Sequence, residues 1–196
     1  MEIKKKDYFS WSQLNLWEKD PNIYYEIYVL GLEVPFTKWM KKGKDLAEYL
    51  EKGGDVEDVD DDIKCIADFV PQYKRKEFKI NVKLDDINLL GYFDSFDDDT
   101  LDLYEYKTGK KYTQSIANKI GQLDLYTLMI YLKYGKLPRS IKLIWIETET
   151  QDDNVVFTGK IKTFEVKKTM KDIIKISSRI KKAKQGIDEM WEMVNG

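Results

Sequence analysis

Histidine is absent from the 196-residue sequence, and cysteine occurs once, at Cys65. The first absence removes Ser-His-Asp and Cys-His catalysis and every zinc site that uses imidazole. The second removes an internal disulfide, a four-cysteine zinc site and an iron–sulfur cluster held by four thiolates of one chain, and it fits a cytoplasmic protein. Long apolar runs are missing as well: none approaches the roughly 20 residues that a membrane helix needs. The opening residues, Met1 to Asp7, carry charge without the apolar stretch of a signal peptide, so no membrane association is expected. An excess of positive charge is also lacking. With 33 Lys and Arg against 35 Asp and Glu, the net charge is −2, whereas nucleic-acid binders are usually basic. Local clusters count for more than that sum, and two occur, at Lys107–Lys111 and Arg179–Lys184.

Hydrophobic residues at 42% and aromatics at 13%, beside 35% charged residues, describe a folded domain with a real core. Any catalysis must then rest on carboxylates, Lys, Tyr, Ser or Thr, with oxygen-binding metals as natural partners.

The pattern along the chain changes period twice. Ser10-Trp11-Ser12-Gln13 has the spacing of a capping box, and Leu14, Trp17, Ile23, Tyr24, Ile27 and Tyr28 follow at helical spacing, with Pro21 breaking or kinking the run. Further helices are expected over about Phe36 to Lys52, ending at Gly53-Gly54, and over about Asp60 to Phe69. Lys76 to Lys83, Asn88 to Phe96 and Thr100 to Lys107 then read as three adjacent strands, joined by polar turns at Leu84–Asp86 and Asp97–Asp99. One helix is expected from Gln114 to Tyr134, closing at Gly135. Two strands follow, about Ser140 to Glu147 and Val155 to Glu165, and a charged amphipathic helix ends the chain. Cys65, near Ile63, Ile66 and Phe69, reads as a small buried hydrophobe. Met190, Trp191 and Met193 read as core or dimer contacts, and Arg179–Lys184 as a solvated helix face.

These elements predict one α/β domain over residues 1–196: a central mixed β-sheet flanked by helices. Its parts are a helical region at about 8–70, a core at about 73–166 and a final helix at about 168–194. A helical crossover makes the strands it joins parallel.

The chemistry-bearing stretch is Gly91-Tyr92-Phe93-Asp94, then Tyr104-Glu105-Tyr106-Lys107-Thr108-Gly109-Lys110. A hairpin around Asp97–Asp99 brings Asp94 and Glu105 close, and Glu105 and Lys107, two apart on a strand, share a face. Two carboxylates and an amine converging on one point suit metal-assisted phosphodiester hydrolysis. Asp94, Glu105 and the Tyr106 carbonyl would hold Mg²⁺ or Mn²⁺, and Lys107 would orient water or offset developing charge. An EF-hand frame also places Asp94 first and Glu105 twelfth, but Phe96 and Asp99 stand where a ligand and a glycine are needed.

Gly-x-x-Asp, then Glu-x-Lys-Thr-Gly-Lys, then a helix carrying Gln122-x-x-x-Tyr126 resembles the RecB-type branch of the PD-(D/E)XK nuclease superfamily. That branch includes CRISPR-associated exonucleases and many phage nucleases. The resemblance implies a restriction-endonuclease-like core with Asp94, Glu105 and Lys107 as catalytic triplet. Thr108 and Lys110 extend the motif, Gln122 and Tyr126 shape the site, and Ser12 lies in the counterpart of the family's N-terminal Ser-x-Ser-x segment. It also implies a DNA substrate, a bacterial, archaeal or phage-infected host cell, and a helicase or recombination partner, since no P-loop motif is present. Two departures stand out. Ala47 occupies the place of a metal-binding His, which makes the adjacent Glu48 the candidate replacement, and the iron–sulfur cluster of some members cannot form. The rival expectation is a non-catalytic nucleic-acid-binding or assembly protein that keeps the fold.

Overall fold

The computed structural model describes residues 4–109 and 111–195, the side chain of residue 195 excepted. Four helices come first: α1 (Trp11–Lys19), α2 (Pro21–Tyr28), α3 (Lys38–Glu51) and α4 (Asp61–Ala67). Strands β1 (Arg75–Leu84), β2 (Ile87–Asp97) and β3 (Asp102–Gly109) follow. Helices α5 (Gln114–Asn118) and α6 (Gly121–Tyr134) cross to β4 (Ser140–Gln151), β5 (Asn154–Val166) and α7 (Met170–Asn195). The five strands lie in sequence order in one sheet. The β3–β4 pair is parallel, as a helical crossover requires, and the other pairs are antiparallel. This is a mixed sheet flanked by helices, a restriction-endonuclease-like α/β core. No helix among the described residues is long and apolar enough to cross a membrane.

The sheet is covered on both faces at its centre. Along β4, Ile141, Leu143 and Trp145 enter the larger core with α6 and α7, while Ile144 and Ile146 pack against Leu46, Leu50, Ile63 and Ile66 of α3 and α4. A central strand covered on both sides has no polar face, which accounts for its near-continuous apolar sequence. Beneath α3 the buried Lys42 ammonium donates to Asp60 (2.8 Å) and Asp62 (2.6 Å), and Asp62 also accepts from the Phe157 N–H (2.8 Å), tying α3 and α4 to β5.

Several sequence expectations are corrected by packing. The Ser10 hydroxyl caps α1 at the Gln13 N–H (3.4 Å), but the Gln13 side chain does not return the bond. It is buried, donating to the Tyr8 carbonyl (3.0 Å) and accepting from the Tyr24 hydroxyl. Asp20 closes α1 and caps α2, with Pro21 in the first helical position, where its missing N–H costs nothing. Cys65 is exposed, because α4 turns Ile63, Ile66 and Ala67 inward and leaves Cys65 on its outer side. Trp191 is buried but Met193 is 78% exposed. Within Arg179–Lys184, Ile180 and Ala183 are core, Arg179 is held by Glu18 (2.6 Å), Lys181 pairs with Asp85 and Lys184 with Asp188.

The expected helix from Gln114 to Tyr134 is two helices. Thr113 caps α5, the chain extends at Ile120, and α6 starts at Gly121. Ile116, Ile120 and Leu123 keep helical spacing across the break, so periodicity alone runs through it. A Cβ on Gly121 would stand 2.4 Å from the Trp11 ring, and a rigid indole cannot yield cheaply. Gly121→Ala is expected to lower stability by about 1–3 kcal/mol, the usual range for overpacking. Denaturant midpoints would show it, and an unchanged midpoint would mean that Trp11 is free to move.

Candidate active site

β2 and β3 form a ladder over three positions only, Ser95–Asp97 against Asp102–Tyr104. The next step would set Asp94 opposite Glu105, but there the ladder stops. Asp94 Oδ2 instead accepts the Tyr106 N–H at 2.6 Å, so a carboxylate takes the backbone donor. Further along β2, the free edge is used by Phe9, whose N–H donates to the Asn88 carbonyl (2.7 Å) and whose carbonyl accepts from Leu90 (3.0 Å). The parting of β2 from β3 therefore opens the sheet at Asp94 while β3 stays fixed to β4 through Gly109.

Glu105 is 1% exposed. Its Oε1 accepts from the Lys107 ammonium at 2.7 Å, and its buried Oε2 has no hydrogen-bond partner. Lys107 also donates to Gln122 Oε1 (2.9 Å); Gln122 Nε2 donates to the Tyr126 hydroxyl (2.7 Å), which donates to the Tyr92 carbonyl (2.6 Å). This chain of bonds locks the amine through α6 to β2. It depends on close packing, since a Cβ on Gly91 would lie 3.1–3.2 Å from Met129 and Tyr126. Gly91 of the motif thus serves the approach of helix to sheet.

The electrostatics are those of a site short of positive charge. Asp94 is half-buried, but the dense protein around its carboxyl, and then the Glu105 charge, push its pKa well above the usual carboxylate range. Burial pulls the Lys107 pKa down, yet Glu105 and Asp94 together outweigh it and leave the ammonium above its ordinary value. The Tyr126 hydroxyl is pushed up by burial and then by Glu105.

The remaining sequence candidates divide. Thr108 lines the cleft beside Asp94 and Lys107, close against α3, where a Cβ on Gly43 would meet its hydroxyl at 2.9 Å. Ala47 faces the same cleft, but Glu48 does not. It is half-buried on α3 and paired with Lys52 at 2.6 Å, which holds its carboxyl below the usual range. One residue of helix turns the side chain about a quarter-turn away, so in this structure the neighbour of the missing His points off the cleft. Ser12 is exposed on α1, and Lys110 lies outside the described residues.

A carboxylate that sequence reasoning missed is Glu77. On β1 it sits between Lys76 and Phe78, which pair with Ser95 and Phe93, and so lies across from Asp94. Its φ of 45° is unusual for a strand residue with a side chain. Glu77 shares a small recess with Asp94, Ala47 and Glu51, and burial, followed by the charges of Glu51 and Glu105, raises its pKa. The alternation of Lys76–Lys83 held no sign of this. Two clefts also meet at Lys107. One, ≈ 450 Å³, runs past Asp94 toward Phe36, Trp39 and Met40. The other, ≈ 500 Å³, is lined by Trp11, Lys19, Tyr112, Lys119 and Gln122.

The fold is nuclease-like. A crystal structure of a provisionally assigned exonuclease from Eubacterium rectale superposes with a TM-score of 0.60 at 12% identity, over 92% of this chain and 82% of that one. At that identity the likeness is one of fold. No protein-family model matches the sequence, and no curated protein matches it significantly.

Proposed function

We propose that the chain is a metal-dependent DNA nuclease of the RecB-type PD-(D/E)XK kind, hydrolysing phosphodiester bonds as a cytoplasmic exonuclease in recombination, repair or phage replication. The observation that carries this reading is the unpartnered Oε2 of buried Glu105 beside Asp94 and Lys107. An orphaned buried carboxylate oxygen is costly unless a cation takes it, and a donor set made only of oxygens suits Mg²⁺ or Mn²⁺. Asp94, Glu105 and the Tyr106 carbonyl would hold the ion, with Glu77 as a further carboxylate where Glu48 is out of reach. Bound there, the metal supplies polarisation of the phosphate and a lowered pKa for the attacking water. Lys107, fixed by Gln122 and Tyr126, offsets charge developing on the phosphate. Thr108 borders the path of the strand, and a helicase or recombination protein would supply any unwinding.

The test is cleavage of end-labelled single- and double-stranded DNA with Mg²⁺, Mn²⁺ or EDTA, wild type beside Lys107→Ala. Cleavage that needs metal and disappears in the variant is expected, with a product ladder that starts at an end. Folded protein that cuts no substrate with any metal would support the non-catalytic binding reading instead, which Ala47 in place of a ligand favours.

A further inference from the structure

We propose that the apolar cleft beside Asp94 and Lys107 is a base pocket: it takes the nucleobase next to the scissile phosphate, so the substrate is a DNA end whose terminal bases are unpaired. The position of the phosphate in this proposal rests on the nuclease reading above; the pocket itself does not.

The cleft changes character along its length. Gly43 of α3 lies against Thr108, beside Asp94 and Lys107, and Phe36, Trp39 and Met40 line the cleft about one helical turn and more further along, toward the start of α3. Phe36 is 58% and Met40 47% exposed, so large apolar surfaces stay in water at the rim of a charged site. They are held there by local structure. The Thr37 hydroxyl caps α3 by accepting the Met40 N–H (3.2 Å), which fixes Phe36 just before the helix and Trp39 and Met40 in its first turn. Among the described residues, Asp94 is the only carboxylate residue in the cleft's lining, and the Lys44 ammonium stands 5.9 Å over the Phe36 ring. A ligand matched to this cleft has a flat apolar part at the aromatic end and an anion at the Lys107 end, which describes a nucleotide. A volume of ≈ 450 Å³ falls in the range of small-molecule sites, and a base still paired and stacked in a duplex presents only its edge in a groove, not the flat face this cleft would take. A base must therefore leave its partner to enter. Beyond Lys107, Lys19 and Lys119 in the second groove offer cations to the phosphates of the continuing strand, with Trp11 and Tyr112 beside them.

The experiment uses the full chain in Ca²⁺, which permits binding without turnover, and oligonucleotides with 2-aminopurine at the terminal position. Stacking should quench the probe in wild type. In Phe36→Ala/Trp39→Ala the quench should disappear and binding should weaken about 5- to 150-fold, the range expected for one stacked base. An abasic terminal residue should weaken wild-type binding equally, and a frayed end should bind better than a blunt duplex. Phe36→Ala alone, at an exposed position, serves if the double variant misfolds. Unchanged quench and affinity in folded variants would overturn the base pocket. So would a wild-type dimer in sedimentation that Phe36→Ala dissociates, because the apolar rim would then be a contact between copies. The two readings separate cleanly. Metal-dependent cleavage indifferent to these variants and to abasic ends leaves the nuclease standing without the pocket. A Phe36- and Trp39-dependent quench in a protein that never cuts DNA leaves the pocket standing without the nuclease.

Discussion

Glu105→Gln is expected to lower the cleavage rate by about 10³-fold or more while leaving the protein folded and able to bind DNA. The isostere keeps an oxygen for the Lys107 ammonium, so the bond at 2.7 Å and the chain through Gln122 and Tyr126 survive. It removes one of two carboxylate charges that face a single lysine. Without metal, the wild-type trio sets two carboxyl groups against a single amine, and the Glu105 charge is one reason Asp94 holds its proton above the ordinary range; the variant leaves one acid and one amine. Breaking a buried ion pair usually destabilises because it strands the partner, but here Asp94 remains to compensate Lys107. The thermal midpoint should therefore stay within a few degrees of wild type, even though the metal site has lost a ligand charge. Single-turnover rates and melting curves on the same preparation check both halves. A variant that retains wild-type cleavage would remove Glu105 from the centre of the reaction.

Binding of Mg²⁺ or Mn²⁺ should raise the melting temperature by about 5–10 °C at saturating concentrations, and the gain should shrink as pH falls and vanish in Asp94→Asn. A ligand at about 100 times its dissociation constant stabilises by roughly 2.7 kcal/mol, and each kcal/mol moves the midpoint of a domain this size by about 2–4 °C. The pH dependence follows from Asp94, whose folded pKa lies well above its ordinary value through burial and the Glu105 charge. The folded state therefore holds this proton in a range where the unfolded chain, with a carboxylate pKa near ~3.9, has released it. Stability of the metal-free protein from this group falls as pH rises from the unfolded value through the folded one, because the native state binds more protons there. Metal must displace that proton, so affinity and activity rise with pH over the same interval. Melting curves with Mn²⁺ or EDTA across pH 5 to 8 would test this. A metal-induced shift that is the same at every pH, or that persists in Asp94→Asn, would mean the ion sits elsewhere.

Much of this was legible along the chain because it is local chemistry. The strand pairs joined by polar turns, the parallel step across a helical crossover and the clustering of Asp94, Glu105 and Lys107 all follow from period, turn residues and spacing. Gln122 and Tyr126 were marked by the resemblance to the RecB-type motif rather than by their spacing, and they meet Lys107 because α6 packs on β2 at Gly91. The exposed Cys65 and the break before Gly121 were hidden for one reason: helical spacing says which residues share a face, but not which face is covered or whether the axis is continuous.

By itself, then, the sequence determined the order and type of the elements apart from the break before Gly121, the oxygen-only chemistry that the lack of histidine enforces, and which carboxylates and lysine share a hairpin. Only the tertiary structure decided that β2 and β3 part at Asp94, that α3 turns Ala47 toward the cleft and Glu48 away, that Glu77 joins from β1, and that Glu105 is buried with one oxygen unpartnered. Those outcomes depend on contacts between residues tens of positions apart, such as Trp11 on Gly121 or Gly43 on Thr108. Contacts of that kind are set by how closely whole elements pack, a quantity that local spacing does not encode.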